Sequence, residues 1–124
     1  MANEHIIAEF GRRMGLRDLR LTPDGTLRLD IEGMGALFLE QGEGEMLVYL
    51  ARNFPSHDRG ALRRALALCR PGPARPFTLY AGLRRPSTLI LLTRFAENDF
   101  SLQMLEQAVP ALSRLMDEAL RAAG

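Results

Sequence analysis

The first apolar residues of the chain follow the spacing of a helix. One stripe recurs at intervals of three and four residues and consists of Ile6, Ile7, Phe10 and Met14. Asn3 stands where a helix N-cap is expected, and Gly15 stands where a glycine commonly ends a helix. Gly11, inside the helix, costs about 1 kcal/mol relative to alanine, which suggests that another segment packs closely there.

After residue 25 the pattern changes to a period of two. Within Thr26–Ile31, three apolar residues alternate strictly with polar ones, which predicts a strand with one face toward a core. Ala36–Glu40 and Met46–Arg52 follow as two further strands, and the short glycine turns between them predict an antiparallel meander. These two strands alternate poorly. Either both faces of their sheet are covered, or one face is an exposed apolar surface.

A second helix is predicted after the meander. Ser56 or Asp58 is expected to cap it, and it is expected to run to about Arg70, where a Pro-Gly-Pro sequence stops it. Its apolar stripe consists of Leu62, Ala65, Leu66 and Cys69.

A hairpin and a final helix complete the pattern. The strands are predicted at 76–82 and Thr88–Phe95, and Asn98 or Asp99 is expected to cap the last helix. Pro110 lies inside that helix and is expected to kink or split it. The order α-β-β-β-α-β-β-α, with strands in hairpins, predicts an α+β fold: three helices and a five-stranded, twisted antiparallel sheet.

Length and composition place this fold in one domain. A chain of 124 residues with 47% hydrophobic and 25% charged residues is typical of a single globular unit spanning 1–124. The single cysteine excludes an internal disulfide framework and favours a reducing compartment. The N-terminus lacks the basic and apolar regions of a signal peptide, and no apolar run is long enough to span a membrane. We therefore expect a cytoplasmic bacterial protein.

The near-neutral charge of the chain conceals an uneven distribution. Residues 1–58 carry ten acids and six arginines, residues 59–94 carry eight arginines and no acid, and residues 95–124 carry five acids and two arginines. Such asymmetry is typical of proteins that bind a charged partner. Every basic residue is arginine and none is lysine, which GC-rich coding also explains. A small nucleic-acid-binding or regulatory module that uses the segment 59–94 is therefore an alternative function.

Residue patterns that carry catalysis or bind metals are missing from the sequence. The glycine pairs lack the spacing and context of a nucleotide site, and two isolated histidines with one cysteine do not make a zinc site. Cys69 lies on an apolar stripe, where an inert thiol is expected. Glu40, Glu43 and Glu45 flank a hairpin turn and are expected to be solvated. The sequence predicts no enzyme, no metal and no cofactor.

The order of elements resembles a known family. A helix ending in residues 10–16 (FGRRMGL) leads into the alternating hairpin of Leu27–Ile31 and Ala36–Glu40. A third strand, a short helix, a second hairpin and a long C-terminal helix follow. This arrangement resembles the class I type III secretion chaperones, the Tir chaperone-like family.

The resemblance implies a function and a mode of assembly. Such chaperones are small cytoplasmic homodimers without catalytic activity that bind the N-terminal region of a cognate effector and hold it extended until export. The second helix and the later strands form their usual dimer region. Members of the family are typically acidic, whereas this chain has a pI near 8.0. The arginines of 59–94 are therefore expected near the dimer region, pairing across it with acids such as Asp58 or Glu97, or meeting an acidic client.

Two sets of candidate site residues follow from the resemblance. The candidates for effector binding are Ile7, Phe10, Met14, Leu37, Phe38, Leu39 and Val48. The candidates for the dimer interface are Leu62, Leu66, Cys69, Leu89, Leu91 and Phe95. Phe38 is the strongest single candidate, because alternation places it on the sheet face opposite to Leu37 and Leu39.

Overall fold

The computed structural model of the chain describes residues 2–71 and 77–121. In this part of the chain, five strands and three α-helices follow one another in the predicted order, so the α+β class is confirmed. The elements are α1 (Ala2–Arg13), β1 (Thr26–Ile31), β2 (Gly35–Gly42), β3 (Glu45–Asn53), α2 (Ala61–Leu68), β4 (Leu79–Arg84), β5 (Thr88–Ala96) and α3 (Leu102–Arg121), with a short 3₁₀ turn at Glu97–Asp99.

The strands form one antiparallel sheet in the order β1-β2-β3-β5-β4. Both predicted hairpins are present, and β5 pairs with β3 in a register that sets Leu91 opposite Leu50 and Leu92 opposite Tyr49. Since the second hairpin adds to the meander through β5, β4 lies at one edge of the sheet and β1 at the other.

One face of the sheet carries the core, and it is called the inner face. Its aliphatic side chains are fully buried against the helices, and those of the central strands are Leu37, Leu39, Met46, Val48, Leu50, Leu89 and Leu91. The helix α3 contacts β3 and β5 and packs against both α1 and α2. Leu27, Leu29 and Ile31 of β1 face the same core, as their alternation predicts.

The first helix begins earlier than expected and is anchored to the sheet. The prediction of Asn3 as the N-cap is wrong, because α1 includes Asn3 and its side-chain amide donates to Gln41 Oε1 at 2.9 Å. Gly15 follows the helix at φ +83°, the left-handed conformation that ends helices. A Cβ on Gly11 would lie 2.7 Å from Leu19 Cβ, so the predicted close packing at this glycine is confirmed.

The last helix is continuous. Ser101 caps α3 by accepting a hydrogen bond from the Met104 backbone N–H at 3.1 Å, so the expectation of Asn98 or Asp99 as the cap is wrong. Asp99 instead belongs to the 3₁₀ turn before the cap. The exposed Pro110 lies inside α3 without splitting it.

The second helix and the strand after it differ in length from the predictions. The helix α2 ends at Leu68 rather than Arg70 and begins after Gly60, whose N–H donates to Asp58 Oδ1 at 3.1 Å. Asp58 thus supports the helix start from two residues before the N-cap position, and Ser56 takes no part in the cap. The strand predicted at 76–82 is β4, shifted toward the turn; residue 76 lies outside the described residues.

Two partly buried arginines hold α3 on the rest of the fold. Arg64 of α2 donates to the Ala119 carbonyl at 2.6 Å and forms an ion pair with Asp58. Arg52 of β3 forms an ion pair with Asp117 and donates to the Met34 carbonyl at 2.8 Å. The hydrogen bond from Arg64 holds the pKa of the Asp58 carboxyl below its ordinary value. Both arginines therefore serve packing within the chain.

Candidate functional site

The sheet face that points away from the helices is called the outer face. It carries an apolar row across four strands, since Phe38, Tyr49, Leu92 and Tyr80 are direct partners in the register. Leu47 and Ile90 flank this row on β3 and β5. None of these six side chains belongs to the core cluster, and no described helix covers them.

Exposure distinguishes the outer face from an ordinary solvated sheet surface. Tyr80 is 44% exposed, and the other apolar side chains of the row are half-buried by one another rather than by a second layer. A sheet with one wet face usually alternates apolar and polar residues. A contiguous exposed apolar patch of this kind is typical of an interaction site.

Aromatic rings and arginines dominate the outer face. Phe38 stacks on Tyr49 with the ring centroids 4.8 Å apart, and the Arg28 guanidinium lies 5.4 Å from the Phe38 centroid. Arg94 lies 5.5 Å from the Tyr80 centroid in the same manner. Aromatic residues and arginine are enriched at protein–protein interfaces, because they combine large apolar area with hydrogen-bonding capacity.

A hydrogen bond holds the central tyrosine in place. Tyr49 donates its hydroxyl proton to Glu40 Oε1 at 3.3 Å. Burial raises the pKa of the Tyr49 phenol, and the neighbouring Glu40 carboxylate raises it further, because both disfavour the phenolate. Tyr49 therefore stays a neutral donor, and the aromatic pair keeps an apolar character.

Two further features border the sheet. The edge strand β1 has one neighbouring strand among the described residues. Thr22 binds the backbone of Thr26 at the start of β1, and the outer backbone groups beyond Thr26 are available for pairing with another extended chain. At the opposite edge, Leu66 of α2 and Leu83 of β4 are 50% and 48% exposed, and α2 packs against β4. This pair of leucines is called the edge patch.

The predicted effector-binding residues are divided between the core and the surface. Phe38 lies on the outer face as alternation requires, and Met14 is exposed at the end of α1. Five others belong to the buried core between the inner face and α1. Their direct contact with an effector stays a prediction. They are Ile7, Phe10, Leu37, Leu39 and Val48.

The predicted dimer residues are divided in the same way. Leu89, Leu91 and Phe95 belong to the buried core, while Leu62 and Cys69 are partly buried against it. Leu66 is exposed and forms half of the edge patch. The interface role of the whole set stays a prediction, since a single chain shows only which of its members are accessible.

Sequence reasoning missed most of the outer face. Leu47, Tyr49, Tyr80, Ile90 and Leu92 were not among the candidates, although each occupies the same alternation phase as Phe38 once the strands are paired. The signal was present within each strand as two apolar sets of opposite phase. Only the register across β2, β3, β5 and β4 shows that one of these sets forms a continuous row.

The arginines of the segment 59–94 are dispersed rather than gathered on one surface. Arg64 turns toward α3, Arg84 and Arg94 lie over the aromatic rings of the outer face, and Arg63 is exposed on α2. Arg75 lies outside the described residues. One of the two acids proposed to pair across a dimer, Asp58, is bound by Arg64 of its own chain. This dispersal does not favour the nucleic-acid alternative, which needs a continuous basic surface.

Among residues 2–71 and 77–121, no group of three or more histidine, cysteine or acidic side chains is arranged to hold a metal ion. None of the described helices is both long and apolar enough to span a membrane.

Comparison with known proteins identifies relatives over nearly the whole chain. Residues 3–120 match the model of the family described as Type III secretory system chaperone SycN. The chaperone protein SycN of Yersinia enterocolitica is 31% identical over 119 residues, which cover 94% of this chain and 95% of that protein. SycN of Yersinia pseudotuberculosis is equally similar.

A solved structure shows the same fold. The Yersinia pestis type III secretion chaperone SycH, in complex with a stable fragment of YscM2, superposes with a TM-score of 0.69 at 18% identity, covering 95% of this chain and 97% of that one.

Proposed function

The chain belongs to the SycN family of type III secretory system chaperones, and on that premise we propose that it binds the N-terminal region of a secreted effector. The resemblance to class I secretion chaperones noted in the sequence is confirmed. The solved relative SycH was crystallised with a fragment of another protein, which supports a polypeptide as the ligand here.

The outer face is the observation that carries this proposal. It combines an exposed apolar row with half-buried rings that are held in fixed positions, and the free edge of β1 adjoins it. An extended polypeptide gains main-chain hydrogen bonds by adding to a sheet edge, and it places alternate side chains on the sheet. Main-chain pairing tolerates many sequences, while the apolar row selects among them.

Holding a client in this way prevents its folding for a physical reason. Apolar side chains of the client that contact the outer face are removed from water without forming a core of their own. The client then remains extended, as passage through a narrow export channel requires. We propose that Phe38 and Met14 contact the client and that the buried members of the predicted set shape the surface from beneath.

We propose pairing with a second copy through the edge patch. Leu66 and Leu83 are the two most exposed large apolar side chains among the described residues. Their burial in a symmetric contact removes apolar area from both copies. The arginines on α2 beside Leu66 have the same sign in both copies, so the association should tighten as salt screens their repulsion.

We propose that the chain acts without catalysis and in the cytoplasm. The apolar row of the outer face acts through contact area, and the Tyr49–Glu40 hydrogen bond within it holds a ring in place. Secretion chaperones act before export, which requires that the chain and its client meet in the bacterial cytoplasm.

Affinity purification from the native bacterium tests the function. Tagged chain is expected to retain one secreted protein through its N-terminal region, and a Leu92→Asp variant, which places a charge in the apolar row, is expected to release it. Arg114→Asp on the exposed side of α3 is the matched control. Retention of no secreted protein by the native chain would contradict the proposal.

Light scattering on the purified chain tests the pairing. A dimer mass is expected for the native chain and for Ala67→Glu, and a monomer mass is expected for Leu66→Glu, the neighbouring position on the same helix. A monomeric native chain at every salt concentration, or a Leu66→Glu variant that stays dimeric, would show that the edge patch does not pair two copies.

A further inference from the structure

One end of the outer face contains a cleft. It has a volume of about 410 Å³ and lies at the end of the sheet that carries the β1–β2 and β4–β5 turns. Small residues form its floor: Gly35, Ala36 and Ala51. The backbones of β2 and β3 approach closely at this point: a Cβ on Gly35 would lie 2.5 Å from the Ala51 carbonyl oxygen. A larger residue at position 35 therefore does not fit, and the cleft keeps its depth.

The walls of the cleft combine one aromatic ring and two guanidinium groups. The Phe38 ring has the Arg28 guanidinium 5.4 Å from its centroid and the Arg84 guanidinium 5.9 Å from it. Arg84 comes from β4, at the opposite edge of the sheet, and its side chain extends across the outer face. Its positive charge also acts to lower the pKa of Tyr49, against the larger effect of burial.

Three arginines and two acids line the cleft, so its lining residues carry one positive charge in excess. Arg28 forms an ion pair with Asp30 at 3.0 Å, and Arg52 forms one with Asp117. Glu32 also lines the cleft, from the β1–β2 turn. The Arg84 side chain has no hydrogen bond or ion pair with any described residue, and its closest described contact is the Phe38 ring.

We propose that this cleft binds an acidic residue adjacent to an aromatic residue in the partner polypeptide, with the carboxylate on Arg84 and the aromatic side chain against Phe38. A guanidinium binds a carboxylate through two parallel hydrogen bonds, and stacking over a ring fixes its plane. The inference rests on the proposed function, since it assigns a sequence preference to the surface that holds the client. It also gives a role to a basic residue of the 59–94 segment.

Short peptides test the preference without the effector. The probes are the capped peptide Gly-Ser-Asp-Phe-Asp-Ser-Gly and its counterparts with Asn-Phe-Asn and Lys-Phe-Lys at the centre. Titration is followed by NMR on the labelled chain, where the amide signals of Gly35, Ala36 and Ala51 report on the cleft. At low salt we expect the acidic peptide to bind about tenfold more tightly than the Asn-Phe-Asn peptide, a ratio that one charged hydrogen-bonded pair can supply.

Variants identify the residue that confers the preference. Arg84→Gln is expected to remove the tenfold ratio, and Arg84→Glu is expected to reverse it in favour of the Lys-Phe-Lys peptide. Arg114→Gln removes an exposed arginine from α3 and controls for net charge, so it should keep the ratio. The inference would be overturned if the native chain bound the acidic and neutral peptides equally, or if Arg114→Gln lost the tenfold ratio as Arg84→Gln does. Amide signal changes that lie outside the cleft would overturn it as well.

The test separates this inference from the function on which it rests. If a secreted protein is retained equally by the native chain and by Arg84→Gln, the cleft has no role in selection and the chaperone function stands. If the acidic peptide binds at the cleft but no secreted protein is ever retained, the site exists and the proposed client is wrong.

Discussion

The two faces of the sheet are built from the same five strands and have opposite characters. The inner face is aliphatic, fully buried and covered by three helices, whereas the outer face is aromatic and arginine-rich, half-buried and free of any described helix. Consecutive residues of one strand therefore lie in different environments. Leu91 is 1% exposed in the core, and Leu92 next to it lies in the apolar row.

This difference separates stability from binding along a single strand. Burial of aliphatic side chains supplies folding free energy on the inner face, because those side chains leave water completely. Side chains of the outer face remain partly hydrated in the single chain and are free to lose that hydration on contact with a partner. Variants of the two faces should therefore affect different measurements.

The largest expected effect is on stability and comes from the inner face. Leu91→Ala should lower the free energy of unfolding by about 3 kcal/mol, because it leaves a cavity in a close-packed core. Leu92→Ala should lower it by about 1 kcal/mol, because the side chain is only half-buried. Urea denaturation of both variants measures the difference, and equal losses would mean that the outer face is as well packed as the core.

The next effect concerns binding by the outer face. Tyr80→Ala should weaken binding of the retained effector segment about tenfold or more, since it removes an exposed aromatic side chain from the apolar row and aromatic residues are enriched among interface hot spots. Its unfolding free energy should change little. Tyr80→Phe keeps the ring and should keep the affinity, as measured by titration calorimetry. Unchanged binding in Tyr80→Ala would remove β4 from the client surface.

A smaller effect, an increase in the free energy of unfolding, is expected from one variant within the core. The Thr93 hydroxyl is fully buried on the inner face and has no hydrogen-bond partner among the described residues. Thr93→Val keeps the shape and removes the unsatisfied group, so the unfolding free energy should rise by about 1 kcal/mol. Thr88→Val, on the same strand, removes a hydrogen bond to Asn53 and should not stabilise the chain. Thermal unfolding compares the two.

The smallest effect lies away from both faces and depends on pH. Because Arg64 holds the pKa of Asp58 below its ordinary value of 3.8, the ion pair contributes stability at pH values above that value. The contribution is lost as the pH falls through the lowered pKa. Asp58→Asn should therefore be less stable near neutral pH and lose less stability on acidification. Asp24→Asn, at an exposed turn residue without a described side-chain partner, should follow the native curve in acid denaturation.

Alternation and helical spacing were sufficient for the element order. Thr26–Ile31 was predicted with its bounds, and Gly15 and Gly11 were interpreted correctly, because their roles depend on local conformation and close packing. The caps of α1 and α3 were mispredicted, because several polar residues near a helix start compete and tertiary contacts decide among them. The Asn3 side chain donates a hydrogen bond to Gln41 instead of capping α1, and Ser101 rather than Asp99 caps α3.

The candidate surface was predicted only in outline. Phe38 was assigned to the outer face from the alternation in its own strand. Leu66 was assigned to the apolar stripe of the second helix, and it alone of that stripe proves to be half exposed. The sequence did not show which apolar set of β3 and β5 faces the helices. That choice depends on strand pairing over long separations along the chain, and local patterns do not encode it.

The sequence by itself determined the fold class, the order of its elements and the family, because these depend on periodicity and on similarity along the whole chain. Only the tertiary structure decided that Phe38, Tyr49, Leu92 and Tyr80 form one row, and that Arg84 from the far edge lies beside Phe38. The physical reason is that a sheet brings side chains together across strands. Register, and not sequence distance, sets which residues share a surface.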